Sequence, residues 1–116
     1  MGVYTAKISV YRGDSKALTL TFTDNDEAVV NITGGTVVLT VKHSKDDADS
    51  AALMQKTVTS HQNPTGGISK VSITGDDTKN LAPAVYQYDI QLSLSGGVKK
   101  TVAFGEFEVL ADITRV

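Results

Sequence analysis

The stretch YQYDIQLSL, residues 86–94, decides the fold predicted for this chain. Apolar and polar side chains alternate along its whole length, which is the pattern of a β-strand with one face on a core. The apolar face carries Tyr86, Tyr88, Ile90, Leu92 and Leu94. A Ser-Gly-Gly sequence at 95–97 then predicts a hairpin that leads into a last strand, 98–110.

The rest of the chain predicts an all-β fold around this strand. Further strands are predicted at 3–10, 18–22, 37–41, 53–59 and 68–74. In the last of these, Val71 and Ile73 are predicted to point inward. Valine, isoleucine and threonine make up 34 of the 116 residues, a bias that favours strands over helices. About seven or eight strands predict one antiparallel β-sandwich domain spanning residues 1–116, with a closed barrel as the alternative.

The last predicted strand changes phase along its length. Its apolar residues fall on even positions at Val98, Val102 and Phe104 and on odd positions at Phe107 and Val109. A slip of one residue reverses which face is buried, so we expect a β-bulge near Gly105.

Two segments interrupt the strand pattern and predict one or two short helical turns. Residues 44–52 are acidic and alanine-rich. Asp76–Leu81 has the composition of a single turn capped by Thr74 or Asp76.

Composition excludes several classes of function. The chain has no cysteine, which excludes disulfides, thiolate chemistry and cysteine-based zinc sites. Its formal charge is −2 and its basic residues are scattered, so no nucleic-acid partner is predicted. Neither a signal peptide nor a membrane-spanning stretch is recognised, which predicts a soluble protein without membrane insertion.

The segment TGDDTKNLAPAVYQYDI, residues 74–90, resembles the corner of immunoglobulin-like sandwiches. In that corner a tyrosine near the start of the penultimate strand bonds back to the backbone, two residues before a buried position. Tyr86 matches the corner tyrosine, and Tyr88 matches the position that a cysteine holds in antibody domains. The chain lacks cysteine and tryptophan, so the resemblance implies an immunoglobulin-like fold alone.

Four motifs follow one another along nearly the whole chain. They are YRGDSKALTLTFTDNDEAVVNITGGTVVLTVKHSKDDADSAALMQKTV (11–58), NPTGGISKVSIT (63–74), LAPAVYQYDIQL (81–92) and FEVLADITR (107–115). Their order resembles small phage and prophage tail-associated proteins, which are similar to the N-terminal domain of the phage baseplate upper protein. The resemblance implies a non-enzymatic structural component of a tail or baseplate, assembled in the bacterial cytoplasm and located in the virion. Its implied partners are other virion proteins or copies of itself.

Arg12, Gly13 and Asp14 match an integrin-binding tripeptide, in which an exposed cation and carboxylate reach an integrin and its metal. The tripeptide lies between two predicted strands, where Gly-Asp favours a turn. We therefore interpret it as a tight turn.

Candidate metal and catalytic residues are few. There are two acidic runs. One contains Asp24, Asp26 and Glu27, and the other contains Asp46, Asp47 and Asp49. Neither has the glycine and glutamate spacing of a helix-loop-helix calcium site, so solvated loops are predicted. His43 and His61 are the only histidines, and no Gly-x-Ser-x-Gly elbow accompanies the serines. We predict no catalytic, cofactor or metal site.

Recognition of a carbohydrate or a receptor is the alternative function. Sandwich lectins present aromatic platforms, whereas the aromatic residues here mostly fall on predicted core faces, which argues against that function. For the structural function we expect a homo-oligomer or assembly with a virion partner, because sheet edges carry unpaired backbone groups and a partner can use such an edge or the sheet face beside it. The expected contacts come from the last strand and the apolar C-terminal end, at Val109, Leu110 and Ile113.

Overall fold

The computed structural model describes residues 7–23, 28–44 and 52–111. Within these residues the chain forms seven strands and one short helix. In chain order they are β1 (Ile8–Tyr11), β2 (Lys16–Thr21), β3 (Thr36–Lys42), β4 (Met54–Val58), β5 (Ile68–Ile73), α1 (Gly75–Thr78), β6 (Ala84–Ser93) and β7 (Lys99–Leu110). The predicted all-β fold is confirmed, while the predicted helical turns at 44–52 lie almost wholly outside the described residues.

The strands form two sheets. The larger has the order β1-β7-β6-β3-β4, and the smaller pairs β2 with β5. All pairs are antiparallel except β1 with β7, which run parallel with Ile8 opposite Phe107 and Tyr11 opposite Leu110. The larger sheet is therefore mixed, and the predicted sandwich is confirmed with antiparallel pairing in every described strand pair except β1 with β7. A parallel pair needs a long connection, and here the connection is nearly the whole chain.

The core lies between the inward face of the five-stranded sheet and the two-stranded sheet. In β6 the buried residues are Tyr86, Tyr88, Ile90 and Leu92. Leu94 is only partly buried. From the smaller sheet, Val71 and Ile73 are fully buried, as the alternation predicted. Alternation therefore assigned the inward faces of β5 and β6 correctly, because one face of each strand is desolvated.

The bulge in β7 lies at Val102 and not at Gly105. In β6, Ile90 is paired with Ala103, and the next residue, Gln91, is paired with Thr101. Val102 has no partner in this register and is the extra residue of the bulge. Val102 and Ala103 are both buried, and the phase of the strand changes between them. The expectation of a bulge near Gly105 was wrong because it treated Phe104 as a core residue. Phe104 is 51% exposed.

The last strand is internal to the sheet, with β6 on one side and β1 on the other. From Phe107 to Leu110 its edge is paired with β1, so of the two expected contact surfaces the edge is unavailable there and the sheet face beside it remains. Val109 is 2% exposed and packs in the core. It is not available to a partner, because two neighbouring strands and the core already enclose it.

Helix α1 confirms the predicted single turn after Thr74. The Thr74 backbone N–H and hydroxyl both donate to Oδ2 of Asp77, at 2.8 and 3.1 Å. This contact holds the first turn of a helix too short to be stable alone.

Candidate functional site

The outward face of the five-stranded sheet carries most of the features that a ligand or partner could contact. Strand register arranges its side chains in rows across the sheet. One row holds Phe104, Asp89, Thr40 and Gln55, from β7 to β4. The amide of Gln55 donates to the Thr40 hydroxyl at 3.2 Å, so this row is joined by a direct bond between two strands.

An apolar patch lies at one end of this face and consists of Tyr11, Val85 and Leu110. Tyr11 and Leu110 are register partners in β1 and β7, and Val85 in β6 is opposite Glu108, one step along the same face. Tyr11 is 55% exposed and Val85 is 46% exposed, while Leu110 is half-buried. Of the expected assembly residues, the structure thus brings Leu110 to the surface, buries Val109 and leaves Ile113 outside the described residues.

A depression lies nearer the centre of the same face, beside the ring of Phe104. Its volume is about 160 Å³. The residues that line it are Thr40, Lys42, Gln87, Tyr88, Asp89, Thr101, Phe104 and Gly105. Alternation did not identify this site, because the apolar Phe104 was assigned to the core.

Tyr86 makes the bond that defines a tyrosine corner. Its hydroxyl donates to the carbonyl oxygen of Ala82, four residues upstream, at 2.6 Å, while the residue is 3% exposed. The ring centroids of Tyr86 and His43 lie 5.2 Å apart. Tyr88, two residues on, is 3% exposed and occupies the buried position expected of it.

The Arg12-Gly13-Asp14 segment forms a turn between β1 and β2. The Asp14 N–H donates to the Tyr11 carbonyl at 3.0 Å, and the Gly13 N–H donates to the Thr78 hydroxyl at 2.9 Å. Gly13 has a φ of 85°, which glycine adopts without steric cost. Because Arg12 is half-buried and the turn is tied to α1, the tripeptide is held against the domain.

His61 joins two loops to the smaller sheet. Its Nε2 lies 2.7 Å from the Gly35 carbonyl oxygen, so Nε2 carries the proton and donates. Its Nδ1 lies 2.9 Å from the Ser69 hydroxyl. A serine beside a histidine has the composition of a nucleophile and its base, but Ser69 is fully buried and no substrate carbonyl can reach it.

Asp77 is a partly buried carboxylate with several polar contacts. Besides Thr74, its Oδ2 contacts the Lys56 ammonium at 3.0 Å. Burial alone would raise the pKa of this carboxyl, but hydrogen bonds from Thr74 and Lys56 and the charge of Lys56 outweigh burial. The pKa of Asp77 therefore lies below its usual value of 3.8.

Within residues 7–23, 28–44 and 52–111, no three histidine, cysteine or acidic side chains come together as metal ligands. The carboxylates of both acidic runs lie outside the described residues. Nor does the described part of the chain contain a helix with the length and apolar character needed to cross a membrane.

Comparisons with known proteins add little to this geometry. No family model matches the sequence, and no curated protein matches it. Among solved structures, the chain is similar to a family 123 glycoside hydrolase from Clostridium perfringens, studied for glycolipid glycan hydrolysis. The TM-score is 0.43 at 11% sequence identity, over 100% of this chain and 24% of the enzyme. The chain spans about a quarter of that enzyme's length, and a similarity of this size carries no argument about function.

Proposed function

We propose that this chain is a non-enzymatic structural module of a phage or prophage tail or baseplate. It acts through protein–protein contacts with other virion proteins or with copies of itself, and its place is in the virion. The motif order at 11–58, 63–74, 81–92 and 107–115, which resembles tail-associated proteins, supports the phage context. The apolar patch is the observation that carries the contact function.

The patch differs from the ordinary scatter of surface hydrophobic residues. Single exposed apolar side chains are normal, whereas contiguous ones mark contact sites. Tyr11 and Leu110 are direct neighbours across a strand pair, and Val85 lies on the adjacent strand. A tyrosine with two aliphatic neighbours supplies the kind of apolar centre, with a polar hydroxyl, that protein interfaces favour.

The surroundings of the patch suit a specific interface. Glu108, between Val85 and the strand β1, accepts from Ser9 at 3.4 Å and contacts the Lys7 ammonium at 3.1 Å. These polar groups form part of a rim on one side of the apolar centre. Because the patch stands on paired strands, its side chains are held in place before a partner arrives, which lowers the entropic cost of binding.

The test compares a glutamate substitution in the apolar patch with a glutamate substitution at an exposed position outside it. Val85→Glu introduces a carboxylate that a partner would have to desolvate. Val98→Glu is the matched control, because Val98 is 49% exposed and lies beside the β6–β7 hairpin turn, away from the patch. Both residues are exposed, and because Val85 lies opposite Glu108, thermal unfolding must first show that the added like charge leaves the Val85→Glu variant folded.

Two measurements decide the outcome. Mass spectrometry of purified tail particles is expected to find the wild-type chain and the Val98→Glu variant, with the Val85→Glu variant reduced roughly tenfold or more. Sedimentation velocity then separates self-association from binding to another virion protein. A wild-type chain that neither enters particles nor self-associates would overturn the proposal, as would equal incorporation of the two variants.

A further inference from the structure

We propose that the depression beside Phe104 is a binding site for a single pyranose unit of a neutral carbohydrate. The site uses side chains on the central strands β3, β6 and β7, whereas the apolar patch lies at the end of the sheet. Leu110 is six residues beyond Phe104, roughly 20 Å at about 3.4 Å per residue, while Val85 is two residues from Gln87 on the same face of β6, roughly 7 Å. The two sites share no residue, so the inference does not rest on the proposed structural function.

Phe104 supplies the apolar part of the site. It is 51% exposed on a sheet face where its row neighbours are Asp89 and Thr40. An exposed ring costs free energy in water, and a pyranose offers a flat face of C–H groups that can cover it. The bulge at Val102 creates this arrangement, because it turns Phe104 outward from a strand whose core residues continue at Ala103 and Phe107.

The other lining groups supply the hydrogen bonds that a sugar needs. Thr40 and Thr101 carry hydroxyls, Gln87 carries an amide with two donors and an acceptor, and Asp89 carries a carboxylate. Sugar hydroxyls both donate and accept, so a lining that mixes the two kinds of group is complementary to them. A purely apolar ligand would cover the Thr101 hydroxyl and the Gln87 amide without offering either a hydrogen bond.

Size and charge restrict the ligand further. A volume of about 160 Å³ is below the ~300 Å³ at which pockets for drug-sized molecules begin, so one sugar ring fits better than a longer ligand. Lys42 and Asp89 contribute opposite charges to the lining. Their balance favours a neutral sugar over a phosphate or an acidic polymer.

The position of the site makes it rigid. Thr40 is 7% exposed, although it points to the outward face, because its neighbours in the central strands surround it. Its hydroxyl also accepts from Gln55. Groups held on paired strands lose little freedom when a ligand binds, so the site is preorganised.

The test is an NMR titration of the labelled 116-residue chain. The probes are methyl β-D-glucoside, methyl β-D-galactoside and N-acetylglucosamine, each added to about 20 mM, well above a Kd on the order of 1 mM. At least one probe is expected to shift the backbone amides of Gln87, Asp89, Thr101 and Phe104 in a saturable way. A trisaccharide that ends in the same sugar then identifies the source of the ligand. If the trisaccharide binds as tightly as the monosaccharide, the site takes the end of a longer glycan. If the extra units weaken binding, the site takes a free monosaccharide.

Two variants give the control. Phe104→Ala is expected to weaken binding roughly tenfold or more, while Tyr11→Ala, which removes another exposed ring from the same sheet face, leaves it unchanged. Neither ring is buried, so thermal unfolding should show both variants folded. No saturable shift with any probe, shifts confined to other residues, or full binding by Phe104→Ala would each overturn the inference. Because Phe104 is not in the apolar patch, such a failure leaves the particle experiment with Val85→Glu unaffected.

Discussion

Replacing Tyr86 by phenylalanine tests the corner with the smallest possible change. The substitution removes one oxygen and keeps the ring, so the packing of a residue that is 3% exposed is preserved. What is lost is the 2.6 Å bond from the hydroxyl to the carbonyl oxygen of Ala82. That bond holds the segment between α1 and β6 against the start of β6.

The expected cost is about 1 kcal/mol. A carbonyl left unpaired in the core would cost about 1 to 3 kcal/mol, but Ala82 is exposed and water can replace the lost donor. The cost therefore approaches the net value of one hydrogen bond, about 0.5 to 1.5 kcal/mol. At about 2.1 cal/mol/K per residue, the unfolding entropy of 116 residues is about 0.24 kcal/mol/K, so Tm should fall by about 4 °C.

Denaturant titration and calorimetry measure this change, with Tyr11→Phe as the control. Tyr11 is 55% exposed, so losing its hydroxyl should alter the free energy of unfolding by less than about 0.5 kcal/mol. An equal effect of the two substitutions would refute the reasoning, because the bond to Ala82 would then contribute no more than a solvated hydroxyl does.

Three further changes test the core, the carboxylate beside α1 and the turn that packs on it. Tyr88→Ala should lower the free energy of unfolding by about 3 to 5 kcal/mol in a denaturant titration, because a buried ring is replaced by a cavity; a loss below about 1 kcal/mol would contradict this. The folded pKa of Asp77 lies below its unfolded value, so the stability it contributes is present above about pH 4 and is lost as pH falls through the folded pKa. Asp77→Asn should reduce this acid-side loss in melts recorded at several pH values, and an unchanged pH profile would contradict the assignment. Gly75→Ala should cost about 1 to 3 kcal/mol, because a Cβ there would meet the Gly13 carbonyl oxygen well inside van der Waals contact; wild-type stability would show that the turn moves aside freely.

Local patterns in the sequence were sufficient for the positions of the strands and for the inward face of those that alternate regularly. Strand β6 alternates so regularly that Tyr86, Tyr88 and Ile90 could be assigned to the core before any partner strand was known. The turn signals were equally local, since the glycines after β6 and the residues around Thr74 specify backbone conformations that need no distant contact. The corner tyrosine was found by its position relative to these elements.

Which surface is exposed could not be read from the same patterns. Alternation identifies two faces of a strand, but it does not tell where the chain inserts an extra residue. The bulge at Val102 depends on the pairing of β7 with Ile90 and Gln91 of β6, and it alone turns Phe104 outward. The depression beside Phe104 is therefore a product of register between strands and not of composition.

The sequence by itself determined that this chain is all-β, which residues its regularly alternating strands bury, and where its chain turns, because those properties follow from alternation and backbone preference over a few residues. Only the tertiary structure decided that β1 lies beside β7, and so that Val109 is enclosed while Tyr11, Val85 and Leu110 meet on the surface. The physical reason is that pairing between the two ends of a chain depends on the free energy of the whole fold. No local stretch of sequence contains that information.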